Sequence, residues 1–253
     1  MFRSLVEALL GRLMSRKINL QPAFILHRYP YQNTSLILDF FTLNYGRQRA
    51  IVRGGRASRF KSRSLLQPFQ PVLASFSGRG ELKTLIEIES YAASIKLHGE
   101  YLFSGLYINE LLIRLLEGDI EHDLLFQIYR DTLLSLQSGA DIEPTLREFE
   151  LELLSNLGYG INLESDCSTG KSIDAKEWYE FYAQSGFTIN HSKNESQRTN
   201  IFLGAHIIAL RERDIEERTV LRTAKRVLRL ALAEQLGGKP INSRNLFSKS
   251  NGL

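Results

Sequence analysis

Between residues 22 and 91, apolar positions recur at every second place, in short runs broken by turn residues. Residues 23–28 form a short apolar run, and residues 34–41 (TSLILDFF) a longer one rich in β-branched and aromatic side chains, the mark of strands. Asn44, Tyr45 and Gly46 then read as a turn, and residues 47–53 alternate again, so the two runs predict a hairpin. Period two puts Arg47, Arg49 and Arg53 on one face of that strand and Gln48, Ala50 and Val52 on the other. Residues 67–76 (QPFQPVLASF) carry Pro68 and Pro71, which makes their start an edge or a bulge. In LKTLIEIES, residues 82–90, Leu82, Thr84, Ile86 and Ile88 are expected on one face, with Lys83, Glu87 and Glu89 on the other. Four or five short strands in about 70 residues predict a small closed barrel.

After Tyr91 the period changes. Residues 100–117 are apolar almost all round, which predicts a buried helix; Gly118 and Asp119 break it. Leu124, Leu125, Ile128, Thr132 and Leu136 trace a second helix. Pro144 is expected to open a third, with Leu146, Phe149, Leu153 and Leu157 as its stripe and Gly158 and Gly160 at its end. Residues 161–198 are polar, rich in Ser and Asn, and hold the only tryptophan, Trp178, in a short helix or strand. Residues 200–210 and 219–236 read as helices. In the last, Leu221, Ala224, Leu228 and Ala231 form an apolar stripe, and Arg222, Lys225, Arg226 and Arg229 a basic one. The chain is thus of α+β class: an extension over 1–20, a barrel domain over 21–93, and a helical domain over 94–253 with 161–198 as a polar insert.

A hydrophobic content of 43% and a charged content of 24% are those of a globular chain with a core of its own. The net charge of +4 hides an asymmetry. Residues 100–166 carry fourteen acids against Arg114, Arg130 and Arg147, a net of −11, which leaves +15 for the rest. One region seeks anions and another repels them. The single cysteine, Cys167, excludes an internal disulfide and a thiolate zinc cage within one chain, and fits a reducing, cytoplasmic setting. Residues 1–17 place Leu5, Leu9 and Leu13 at helical spacing among Arg3, Arg12, Arg16 and Lys17. Glu7 interrupts the apolar run a signal peptide needs, so the segment reads as a surface helix or as an extension upstream of initiation at Met14. No run is long enough to span a bilayer.

The basic positions concentrate in residues 46–63, GRQRAIVRGGRASRFKSR, where Arg47, Arg49, Arg53, Arg56, Arg59, Lys61 and Arg63 stand with no acid between Asp39 and Glu81. Gly54 and Gly55 lead from the strand into a flexible loop. A strand and a mobile loop of one sign suit a polyphosphate. Tyr45 and Phe60 are the candidate base stackers, since flat rings beside cations suit unpaired bases. The helical row Arg222, Lys225, Arg226 and Arg229 reads equally as a solubilising face and as a phosphate track. Catalytic constellations are missing. Thr169, Gly170, Lys171 and Ser172 resemble the end of a phosphate-binding loop, but Ser165 stands where its first glycine belongs. The five histidines (His27, His98, His122, His191 and His206) show no i, i+4 pair for a metal, and Cys167 has no cation beside it before Lys171. The pattern is that of a binder without covalent chemistry and without a cofactor.

Taken together, AFILHRYPYQNTSLILDFFT, GRQRAIVRGGR, LQPFQP, GRGELKTL, FSGLYINELL, LREFELELLSNLGYG, the TAKR-V-L-R-LAL helix and LGGKPINSRNLF resemble the bacterial recombinational repair family RecO, in order over residues 21–247. The resemblance implies an N-terminal OB-fold barrel followed by a helical domain. It also implies a recombination mediator that binds single- and double-stranded DNA, anneals complementary strands coated with single-strand binding protein, and with RecR assists RecA loading, in the cytoplasm at the nucleoid. Arg147 and Leu157 stand where similar proteins receive the acidic, Phe-ended tail of single-strand binding protein. Many relatives carry a four-cysteine zinc module after the LGYG match; here only Cys167 remains, so no metal is expected and residues 161–198 are expected to be held by packing alone. Two other readings stand beside this one: an OB-fold RNA-binding or ribosome-associated protein without annealing activity, and an enzyme acting on nucleotides through Lys171.

Overall fold

The computed structural model describes residues 17–191 and 199–250; the expectations for residues 1–16 and 192–198 lie outside them. Two compact units divide the described residues: those up to Lys96 together with Leu116–Phe126, and Leu97–Leu115 together with those from Gln127 onward.

In the first unit, strands β1 (Lys17–Tyr31), β2 (Ser35–Thr42), β3 (Gly46–Val52), β4 (Pro71–Ser77) and β5 (Leu82–Ser90) close a barrel in the order β1-β2-β3-β5-β4. All pairings are antiparallel except β3 with β5, which runs parallel and closes the ring. This is an OB-type barrel. The inward residues of the five strands, among them Ala23, Ile25, Leu38, Phe40, Ala50, Val52, Val72, Ala74 and Phe76, fill it, each large one stabilising by about 1.5–3 kcal/mol. The first strand is much longer than the apolar run 23–28 and takes in residues of the expected extension. Its register shifts twice, between Ile18 and Gln21 and between Ile25 and His27. Bulges of this kind bend a strand, so one half pairs with β4 and the other with β2.

A third register shift overturns the faces expected for residues 82–90. Phe76 pairs with Leu85 but Ser75 with Glu87, so Ile86 is the extra residue of a bulge. Before the bulge Lys83 is buried and Leu85 packs on the core, and after it Ile88 is buried, whereas Leu82 and Ile86 are exposed. One inserted residue switches the parity of everything on one side of it. The segment Leu116–Phe126 returns to the outside of this barrel. Phe126 packs with centroid distances of 5.4 Å against both Phe24 and Phe41.

The second unit is built on helices α1 (Gly99–Leu115), α2 (Asp123–Gln137, from Gln127 onward), α3 (Ile142–Asn156), α4 (Gly204–Arg211), α5 (Arg218–Gln235) and α6 (Arg244–Ser250). Ile108, Leu111, Tyr129, Leu133, Phe149, Leu153, Val227 and Leu228 are buried in its core. The buried Tyr129 hydroxyl donates to Asn109 Oδ1 at 2.7 Å. α3 begins at Ile142, two residues before the proline expected to open it; Pro144 still lies in the first turn, where no amide N–H is required. Gly158, at φ 82°, ends it, with Gly158 N–H donating to Ser155 O and Tyr159 N–H to Leu154 O, the Schellman pairing.

The polar segment is more ordered than its composition suggests. Trp178–Tyr182 (β6), Gly186–Ile189 (β7) and Ile201–Leu203 (β8) form a small sheet in the order β7-β6-β8. The helix expected over 200–210 therefore starts only at Gly204, a position where a Cβ would stand 1.8 Å from Asp174 O. Phe181, Phe187 and Phe202 stack beneath the sheet. Packing is not the whole support: the buried Asp166 carboxylate accepts from Ser168 N–H and Ser168 Oγ–H, both at 2.7 Å, and from Ile189 N–H. Burial pushes this carboxyl's pKa up, but the Ser168 and neighbouring hydrogen bonds outweigh it and hold the pKa below its ordinary value. Lys171 is exposed, and no helix follows the fragment Thr169–Ser172, as a phosphate-binding loop would need.

Candidate nucleic-acid interface and a basic pocket

On β3 the alternation is as the sequence predicts: Gln48, Ala50 and Val52 are buried, and Arg47 and Arg49 point outward. Their charge is not fully available. Asp39, on the adjoining strand and opposite Arg49, is completely buried on the outer face. Arg47 Nη2 lies 2.8 Å from Asp39 Oδ1, and Arg49 Nε lies 3.4 Å from the same oxygen. One buried carboxylate thus offsets half the charge of the pair. Tyr29 joins this cluster, its hydroxyl pKa raised first by burial and then by the Asp39 charge.

Arg53, Arg56, Arg59, Lys61 and Arg63 are all exposed in the segment that follows. Gly54, at φ 69°, makes the exit, and a chain of turns follows: Arg56 N–H to Thr34 O, Ala57 N–H to Gly54 O, Phe60 N–H to Ala57 O and Arg63 N–H to Phe60 O, ending in a 3-10 turn at Arg63–Leu65. Arg56 Nη2 donates to Gln32 O and Asn33 O, both at 2.6 Å, tying the loop to the β1–β2 turn. Tyr45 and Phe60 are partly buried and pack against the barrel core, so each keeps only part of its surface for stacking. Beneath β3, Asp119 Oδ1 accepts from Gln48 Nε2 at 2.8 Å and from Lys83 Nζ at 3.2 Å. These contacts set the returning segment under the basic strand, where Gly46, at φ 57°, has no room for a Cβ beside Ile120 O.

The second unit holds a cavity of about 570 Å³. Five cations line it: Arg147 from α3, Lys225, Arg226 and Arg229 from α5, and Arg244 from α6; Glu100 and Glu143 are its acids. Tyr107, Ile142, Leu146 and Phe247 give it an apolar wall. Glu150, fully buried, sits behind it. Its Oε1 accepts from Tyr107 Oη–H at 2.5 Å and from Arg147 Nη2 at 2.7 Å. Burial raises the Glu150 pKa, against the opposing pull of Arg147, and burial together with the Glu150 charge raises that of Tyr107. Arg147 Nε is buried without a hydrogen-bond partner among the described residues. Lys225 Nζ pairs with Glu143 at 2.7 Å, and this hydrogen bond holds the Glu143 carboxyl below its ordinary pKa. Arg226 lies 4.7 Å above the Phe202 ring and donates to Thr199 O.

The five cations of α5 are all exposed, and three of them belong to this cavity; Arg218 and Arg222 do not line it. Leu157 does not line it either. It is the C-cap of α3, ten residues from Arg147, about 15 Å along the helix axis. Among the described residues no group of three or more His, Cys, Asp or Glu converges as metal ligands, and no helix is long and apolar enough to cross a membrane.

Comparison with known proteins places both units. The family model described as "Recombination protein O N terminal" matches residues 14–93, and "Recombination protein O C terminal" matches residues 98–245. The chain belongs to the RecO family. Proteins named DNA repair protein RecO from Psychromonas ingrahamii and Coxiella burnetii are 41% and 40% identical to it, over 89% and 92% of this chain and 96% and 100% of their own lengths. For this RecO family member, the sequence showed the barrel cations but missed Arg244 and Phe247, which reach the pocket from a seven-residue helix too short to leave a periodic signal. It also missed Asp39, hidden in an apolar run, and the tether from Lys83 to Asp119, which joins positions 36 apart.

Proposed function

We propose that this chain is a recombination mediator in DNA repair: it binds single- and double-stranded DNA, anneals complementary strands coated with single-strand binding protein, and with RecR assists RecA loading, without covalent chemistry. The observation that carries the DNA half of this reading is the row Arg53, Arg56, Arg59, Lys61 and Arg63, exposed on a loop braced by its own backbone hydrogen bonds. A braced main chain spares the loop the backbone share of the ordering cost on meeting a phosphate backbone. The pocket supports the partner half. A buried guanidinium with an unused N–H, beside an apolar wall and further cations, suits an acidic peptide with an aromatic end. Arg147 serves this reading as an anchor; Leu157, distant along α3, belongs to it only as a flank the peptide would reach in extended form.

Salt dependence tests the DNA interface. Each phosphate neutralised adds about 0.7 to the slope of log K against log salt for single strands, and about 0.9 for duplex. Arg49→Glu with Arg53→Glu is expected to flatten the slope by about one to two units for single strands; an unchanged slope would place DNA elsewhere. Competition between DNA and RNA oligonucleotides of equal length belongs in the same experiment, and a strong RNA preference would overturn the repair reading in favour of an RNA-binding one.

A further inference from the structure

Resting on the reading of the pocket as a receptor for an acidic peptide tail, we infer that the site is regulated by nucleic acid: phosphates held on the cationic face of α5 and a tail held in the cavity exclude one another, so DNA reaching this unit releases the tail. The ground is shared residues. Lys225, Arg226 and Arg229 form most of the exposed basic row of α5 and are at the same time lining residues of the cavity. A phosphate cannot engage them without lying at the cavity mouth. Their charge is also limited. Five cations against Glu100, Glu143 and the Glu150 that Arg147 already balances leave a net of +2, which two tail carboxylates neutralise, and any further anion then meets like charge.

The two ligands nevertheless have private anchors. Arg147, with its side chain 11% exposed, is reached only by a ligand that enters the cavity, where the apolar wall also lies. Arg222, exposed and outside the lining, is reached only by a ligand that follows the helix surface. The tail is therefore held by depth and nucleic acid by breadth, with the three shared cations deciding between them. In use, a coat protein's tail would bring the chain to coated DNA, and the DNA it then gathers would free the tail without any further device.

The test measures binding of a fluorescent synthetic acidic peptide ending in Phe, by anisotropy at low salt, against rising unlabelled thymidine oligonucleotide. The full chain carrying Arg49→Glu, Arg53→Glu, Arg59→Glu, Lys61→Glu and Arg63→Glu is used, which reverses most of the exposed barrel row, so that displacement does not come from the barrel. The apparent Kd of the peptide is expected to rise in proportion to oligonucleotide, about tenfold when the latter stands at ten times its own Kd. Arg229→Glu is expected to weaken both ligands, and Arg222→Glu the oligonucleotide alone. A plateau, the sign of a ternary complex, or an oligonucleotide that fails to bind this variant overturns the inference and leaves the tail reading standing. A peptide that binds neither this variant nor the unaltered chain overturns both.

Discussion

Replacing Arg147 by Ala is the obvious way to ask whether the pocket takes a tail, and the structure predicts that it does something else first. Glu150 is 1% exposed, and its carboxylate is balanced by the Arg147 guanidinium at 2.7 Å. Arg147→Ala leaves a buried anion whose nearest remaining donor is the Tyr107 hydroxyl. Removing one partner of a buried pair costs about 3–5 kcal/mol, a large part of the roughly 5–15 kcal/mol that holds a domain together. For a chain of this size it corresponds to a fall in Tm of roughly 6–20 °C. The loss depends on pH. Burial already sets the folded pKa of Glu150 above its ordinary value, and without Arg147 it rises further. Between the unfolded and folded pKa values the native state binds more protons than the unfolded one, so stability falls as pH rises through that window and recovers as pH drops toward the ordinary carboxylate range. Urea denaturation followed by circular dichroism at pH 7.5 and near pH 5 measures this. Arg147→Ala is expected to be severely destabilised at the higher pH and much less so at the lower, and adding Glu150→Gln, which removes the stranded charge, restores more than half of the loss. A cost below about 1 kcal/mol, far under that of a broken buried pair, or the same cost at both pH values, would refute the reasoning.

Asp39→Asn frees Arg47 and Arg49 from the carboxylate they share; the slope of log K against log salt for single-stranded DNA is expected to steepen by up to about 0.7, read by anisotropy across a salt series. Gly46→Ala combines a φ of 57° with a Cβ 2.0 Å from a backbone oxygen, and is expected to lower the urea midpoint by an amount equivalent to well over about 1 kcal/mol; a neutral effect would mean that Leu116–Phe126 does not seat on β3. Asp166→Ala is expected to loosen the turn at residues 166–171 and expose its amides to hydrogen exchange. In the unaltered chain the same turn contributes stability above the unfolded pKa of the aspartate, and loses it as pH falls through the depressed folded pKa.

The barrel was legible because period two survives in most of its strands, and the buried helices because their apolar stripes are long. What escaped the sequence has identifiable causes. A bulge at Ile86 costs one residue and leaves no compositional mark, yet it inverts the faces of β5 on either side of it. Residues 201–203 look like the start of an apolar helix, but Gly204 must pass close to Asp174 O, and the three residues before it pair with β6 instead. The segment with Trp178 shows no clear period because its strands are only three to five residues long, too short for alternation to show. The basic row was legible as charge, but its partition was not. Arg47 and Arg49 share a buried acid from a neighbouring strand, and three cations of α5 line a cavity whose other walls come from α1, α3 and α6.

In the function we propose, the chain brings together strands still wearing their coat protein, through a basic barrel and a pocket for that protein's tail. The most direct test is the annealing of two complementary oligonucleotides coated with cognate single-strand binding protein, either intact or lacking its C-terminal tail, with chelator present and no nucleotide. The unaltered chain serves throughout, so no stability loss clouds the result. Rapid annealing on the intact coat and slow annealing on the tailless one is the predicted outcome; equal rates on both coats, or no annealing on either, would contradict it.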